Sequence, residues 1–200
     1  MNPLEPVTRT IIGWDQYWIR VERGVTRLRY HHTPSTFTTL CVHTVSPHLR
    51  SAIIAGTGAN LTSTIALALC GRRETGSAAG PVNGPSQWLW GEHEAYTREA
   101  TWRHTATGYG IHHAMSIAWA FMYAHMCERR HASARQLCTS AATVAGLAYL
   151  VDYHVAPRRL RPGFKKHLGP RSIFAVYAAF AVGLAASAIG ERLVRQRFGS

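Results

Sequence analysis

Acidic side chains are scarce in this 200-residue chain. Ten Asp and Glu stand against 22 Lys and Arg, and charged residues of both signs make up only 16%. An ordinary soluble domain carries about 25% charged residues, so the shortage tells against a well-solvated surface. The basic excess, with a pI near 10.3, suits an anionic partner: nucleic acid, or the anionic face of a bilayer. Motifs that name a reaction are also missing. The four cysteines (Cys41, Cys70, Cys127, Cys138) include no CxxC pair, which disfavours a zinc knuckle or disulfide framework. Cys70, Cys127 and Cys138 close apolar runs and are expected to be small buried hydrophobes. There is no Gly-x-Ser-x-Gly elbow, no His-Glu-x-x-His helix and no glycine-rich phosphate loop; Thr107-Gly108-Tyr109-Gly110 is too short for one. The first 25 residues lack a basic stretch followed by an apolar core, so no cleavable signal is expected.

What is present is a set of long uncharged runs, hidden by a mean hydropathy of −0.09. Residues 52–71 (AIIAGTGANLTSTIALALCG) and 172–190 (SIFAVYAAFAVGLAASAIG) hold no Asp, Glu, Lys, Arg or His. Residues 110–127 (GIHHAMSIAWAFMYAHMC) carry histidines but no other charge-bearing residue, and 137–155 (LCTSAATVAGLAYLVDYHV) runs into Asp152 and His154. These windows are long, rich in Ala, free of Pro and without strand-like alternation, which predicts helices. At about 1.5 Å per residue, 18–20 residues cover the roughly 30 Å of a bilayer core. Arg50, Arg72-Arg73, Glu128-Arg129-Arg130, Arg135 and Glu191-Arg192 punctuate the runs, and Trp88, Trp90 and Trp102 lie in the first connection at a plausible headgroup level. The expected fold class is therefore all-α: an integral membrane bundle of four transmembrane helices over residues 51–190, with a basic tail at 191–200. A soluble helical protein with buried Ala-rich helices is the competing account.

Residues 1–50 are rich in Thr, Arg and His, with Pro3, Pro6, Pro34 and Pro47; they are expected to form a leader that is poorly ordered or interfacial. Small residues recur every fourth position: Ala55/Ala59/Ser63 in the first window, Ala141/Ala145 and Ala142/Gly146 in the third, and Ala175/Ala179/Gly183/Ser187 in the fourth. Such faces let helices approach closely in lipid and allow self-association. Four spans would put the two termini and the 128–136 turn on one side. Lys and Arg then number twelve on that side and ten on the other, which leaves the orientation open.

Three runs are distinctive: GSAAGPVNGPSQWLWGE (76–92), WRHTATGYGIHHAMSIAWAFMY (102–123) and DYHVAPRRLRPGF (152–164). Together they resemble an uncharacterised family of small multi-pass membrane proteins from proteobacteria, over about residues 50–190. The resemblance implies a membrane protein and brings no activity with it.

Because consecutive spans run antiparallel, the start of the second window and the end of the third share a membrane face. That topology groups Arg103, His104, His112, His113, Asp152, His154 and Arg158. Arg159, Arg161, Lys165, Lys166 and Arg171 follow on the same side, as expected contacts for anionic headgroups. Three accounts fit the cluster. Asp152 pairs locally and the rest snorkel to headgroups. Or a histidine beside a carboxylate relays protons. Or His112 or His113 joins Asp152 and His154 on a metal or haem, although adjacent histidines on a helix diverge by about 100°. No cofactor is called for by the residues alone. His125 and His131 read as part of a solvated turn, and Glu92-His93-Glu94 as an exposed acidic turn. The expectation is a multi-pass bacterial inner-membrane protein, structural or accessory rather than enzymatic. The alternatives are a small transporter or proton, metal or redox subunit, and a soluble basic helical protein that binds nucleic acid. Nucleic acid is the less expected partner, because the charges separate apolar runs instead of forming one basic face.

Overall fold

The computed structural model describes residues 17–22, 25–30, 40–43, 46–127 and 132–198. Contacts divide the chain into two units, 1–46 and 47–200.

Within the segment expected as a leader, three strands are described: β1 (Tyr17–Glu22), β2 (Val25–Tyr30) and β3 (Leu40–His43). They form an antiparallel sheet with β2 in the centre, Tyr17 opposite Tyr30 and Val25 opposite both Glu22 and His43. YWIRVE and VTRLRY are rich in aromatic and β-branched residues, a composition that suits a pleated ribbon.

The second unit is all-helical among its described residues. Its long helices are α1 (Pro47–Thr75), α4 (Thr107–Met126), α5 (Ala134–Leu150) and α6 (Pro170–Phe198); α2 (Ala79–Asn83) and α3 (Gln87–Trp90) lie in the connection between α1 and α4. α1 packs against both α4 and α6, and α5 packs mainly on α6. Among the described residues two helices are long and apolar enough to cross a membrane: His48–Thr75 and Pro170–Phe198, with mean hydropathies of 1.5 and 2.0 in their best windows.

The helices run past the charges that bounded the sequence windows. α1 starts at Pro47, which suits a first helical position, and continues through Arg72-Arg73. α6 extends to Phe198, so the expected basic tail is largely helix. Glu191 holds that extension: it accepts from Arg195 one turn on (2.5 Å) and from Ser51 of α1 (3.1 Å). α5 begins at Ala134, three residues before its window, because Ser133 and Gln136 form a reciprocal capping box (Gln136 N to Ser133 Oγ 3.2 Å; Ser133 N to Gln136 Oε1 2.7 Å). The expected third span ends in a π turn, Val151–Val155, and a second π turn, Trp102–Ala106, leads into α4.

Small residues set how closely the helices meet. A Cβ on Gly183 would lie 2.6 Å from the Ala59 Cα and the Gly58 carbonyl oxygen, and one on Gly58 only 2.0 Å from Ser187 Oγ. Thr62 Oγ1 donates to the Ala179 carbonyl across this contact (2.7 Å). On the other side of α1, a Cβ on Gly56 would lie 2.7 Å from Ile117 Cα in α4. The small-residue pattern was broader than the contacts. Ala175 is exposed, as are Ala142 and Gly146, and nothing lies within 4 Å of a Cβ on Gly146. Cys70 and Cys127 are half-buried and Cys138 is exposed, so the expectation of buried cysteines fails for Cys138, which α5 turns outward.

The two connections at one end of the bundle interlock. Gln87 Nε2 and Trp88 Nε1 both donate to the Arg161 carbonyl, the latter at 3.3 Å. His167 bonds the Ala95 carbonyl through Nε2 (2.7 Å). Asn83 is fully buried, donates to the Thr97 and Glu99 carbonyls and accepts from Thr105. Glu74, near the end of α1, accepts from Gly169 N (2.7 Å) and from Ser172, tying α1 to the start of α6.

Candidate functional site

Beneath that interlocked end lies a cavity of about 50 Å³ among α1, α4, α6 and the π turn after α5. Its polar lining is Ser63, His112, Ser116, Asp152 and Tyr177. Its apolar lining includes Trp88, Trp119, Phe164 and Phe180. α4 carries His112 and Ser116 one turn apart, so both project to one side. Asp152 reaches the cavity from the π turn. An inserted residue of this kind shifts the facing of a helix and recurs at functional sites.

The hydrogen bonds in the lining have a direction. Tyr177 donates its hydroxyl to Asp152 Oδ2 at 2.5 Å. Ser63 donates to the Ala59 carbonyl (2.7 Å), and Ser116 donates to the His112 carbonyl (2.8 Å). With its proton committed, Ser63 Oγ accepts from His112 Nε2 at 2.9 Å, which assigns the ring N–H to Nε2. Phe164 stands edge-on to the His112 ring, with centroids 5.8 Å apart. Tyr177 is braced by Tyr149, perpendicular at 5.5 Å.

The cluster expected from topology is only partly assembled. His112 and Asp152 line the same cavity. His113 points away and stacks on Tyr109, centroids 6.1 Å apart, as the angular step between helical neighbours requires. His154 is exposed and lies against Tyr149. His104 is bonded to Glu94 and Thr101, each at 2.8 Å, and Arg103 lies over the Trp90 ring at 4.5 Å. Glu94 is thus the partner of His104 instead of a member of an isolated acidic turn. Arg158, Arg159 and Arg171 are exposed. Arg161 donates to the Ala156 carbonyl (3.2 Å), and Lys165 and Lys166 lie over Tyr153 and Tyr96. His131, Arg129 and Arg130 fall outside the described residues. Among the described residues no group of three or more His, Cys, Asp or Glu could hold a metal ion.

Outside the apolar windows, His167 is one of the titratable groups shaped by their surroundings. Burial pushes its pKa below the usual histidine value, and nearby Arg98 and Lys166 push the same way against the bond to Ala95.

Sequence reasoning missed Tyr177, Ser63 and Ser116 as site residues. Ser63 was noticed only as a small residue. Tyr177 sits in an uncharged window, 25 residues from the carboxylate it binds, and no local pattern links them. No protein-family model, curated protein or solved structure matches the chain.

Proposed function

We propose that this chain is a multi-pass protein of the bacterial inner membrane with a structural or accessory role, crossing the bilayer through α1, α4, α5 with its π turn, and α6. One observation carries the proposal: beside a buried core that includes Leu67, Val144, Phe180 and Leu184, many large apolar side chains face outward while small and polar ones are buried. Ile53, Ile54, Leu61, Ile65 and Leu69 are exposed along α1, as are Phe174 and Val182 on α6, Phe121 on α4, and Leu147 and Leu150 on α5. Asn60, Ser63 and Ser116 are buried, with Ala52, Ala55 and Ala59. Only 33% of the most apolar window of α1, and the same share of α6, is buried. A water-soluble bundle buries its Ile and Leu. In lipid, acyl chains cover those side chains, while small residues pack inside and polar ones face the bundle interior. The basic residues Arg158, Arg159, Arg161, Lys165 and Lys166 lie between α5 and α6, and Arg171 in the first turn of α6, where anionic headgroups would meet them. Kinship to the small multi-pass proteobacterial family belongs to the same proposal and brings no activity. Alkaline carbonate extraction of membranes tests it. The protein is expected in the pellet; release into the supernatant would overturn the proposal and favour a soluble, nucleic-acid-binding helical protein. A C-terminal reporter fusion assigns the side of the bundle end that carries the cavity.

A second account is a small transporter or proton-handling subunit. It is favoured by His112 and Asp152 lining one cavity inside the bundle. Asp152→Asn should then change a pH-dependent flux in proteoliposomes, and an unaltered flux removes this account. A redox or metal-dependent version would give iron, zinc or haem in the purified protein.

A further inference from the structure

We propose that the cavity between Asp152 and the surrounding aromatic side chains binds a small N–H-bearing cation, ammonium or a primary ammonium of the size of methylammonium. This goes beyond the membrane assignment and does not depend on it, because the cavity belongs to the fold in any solvent.

Hydrogen bonding in the lining favours a ligand that donates. The lining donors are committed elsewhere: Tyr177 to Asp152, Ser63 to Ala59, Ser116 to His112, His112 Nε2 to Ser63, and Trp88 to Arg161. What these groups present to the cavity is lone pairs, chiefly the Asp152 carboxylate, which can accept about four hydrogen bonds and receives one here. An anion would meet no free donor among them. A ligand with several N–H donors would meet acceptors.

Charge favours a cation. Among the described residues lining the cavity there is no Lys or Arg, and Asp152 makes no ion pair with a described residue. A partly buried carboxylate is stabilised by a cation. Its walls complete the match: Trp88, Trp119, Phe164, Phe180 and Tyr177 all line the space. Aromatic faces attract ammonium groups through the ring quadrupole.

The volume of the cavity limits the ligand to a few heavy atoms. A cavity of about 150 Å³ accommodates benzene, with its six heavy atoms. A space of about 50 Å³ therefore takes two or three. One carboxylate and one imidazole fall short of the four or more ligands of a zinc or calcium site, whereas a primary ammonium needs only acceptors and aromatic walls.

Isothermal titration calorimetry on the full chain in detergent tests this. Ammonium chloride and methylammonium chloride are titrated at constant ionic strength in sodium chloride. Methanol is the neutral isostere, tetramethylammonium the oversized cation and potassium the cation without N–H donors. Saturable binding of ammonium or methylammonium is expected, at least tenfold tighter than potassium or tetramethylammonium, with no methanol signal. Asp152→Asn should weaken it tenfold or more, and Tyr177→Phe, which keeps the carboxylate, should weaken it less. Absence of saturable binding in the wild type would overturn the proposal whether or not the variants fold. Equal affinity for potassium, a methanol signal of similar size, or an unchanged affinity in a folded Asp152→Asn protein would do the same.

Discussion

Replacing Gly183 with alanine tests whether the α1–α6 contact holds this bundle together. The added methyl would sit 2.6 Å from both the Ala59 Cα and the Gly58 carbonyl oxygen, and 2.3 Å from Thr62 Oγ1. Thr62 can rotate away; the two backbone atoms cannot. Restoring ordinary contact at 3.4 Å requires the helices to part by roughly 0.8 Å, because repulsion rises steeply inside the contact distance. Overpacking of this kind costs about 1–3 kcal/mol. The displacement also strains the Thr62 bond to the Ala179 carbonyl, worth about 1 kcal/mol. Alanine returns up to about 1 kcal/mol as the better helix former. The net loss is about 1–3 kcal/mol, and at about 2–4 °C per kcal/mol for a chain of this size the melting temperature should fall by several degrees. Gly146→Ala is the control, since nothing lies within 4 Å of its Cβ; it should leave stability unchanged or raise it slightly. The assay is thermal unfolding of both variants in one detergent, followed by intrinsic fluorescence and by circular dichroism. If Gly183→Ala melts with or above Gly146→Ala, the close approach of α1 and α6 is not as described.

Two other substitutions bear on the ends of the bundle. Ser133→Ala removes the capping box of α5 and should cost about 1 kcal/mol, a drop of about 2–4 °C; no drop would mean that the helix start is held by something else. His167 should make stability depend on pH. Its folded pKa lies below the ordinary value, so between the two values the unfolded chain binds more protons than the folded one. Stability therefore rises with pH through that interval and falls on acidification below about 6.5. Melting temperatures of wild type and His167→Gln between pH 5 and 8 check this. The wild type should lose more on acidification than the variant, and parallel curves would refute the assignment.

Much of the helical unit is legible in sequence. The long uncharged windows, rich in Ala and free of Pro, correspond to the four long helices. Their boundaries are less legible, because the charged residues that flank the runs do not end the helices. Arg72 and Arg73 sit comfortably in the last turn of α1, where cations complement the helix dipole. The start of α5 was readable from Ser133 and Gln136 at capping-box spacing, a local signal that was overlooked. The site was half legible. Antiparallel order brought His112 and Asp152 to one end, but it assigns residues to an end, not to a cavity. His113, His154, Arg103 and His104 share that end and have other partners.

Composition and periodicity alone determined that this chain makes long apolar helices with small-residue faces, basic connections and no recognisable catalytic motif. These properties depend on residues within a few turns of one another. Only the tertiary structure decided which small-residue faces meet, which large apolar side chains are buried and which are exposed, and that Tyr177 binds Asp152 beside His112. The reason is geometric. The π turn changes the direction of Asp152 relative to a regular helix, and the close contacts at Gly56, Gly58 and Gly183 set how α4 and α6 lie against α1. Contacts between residues that far apart in the chain leave no period in the sequence to be read.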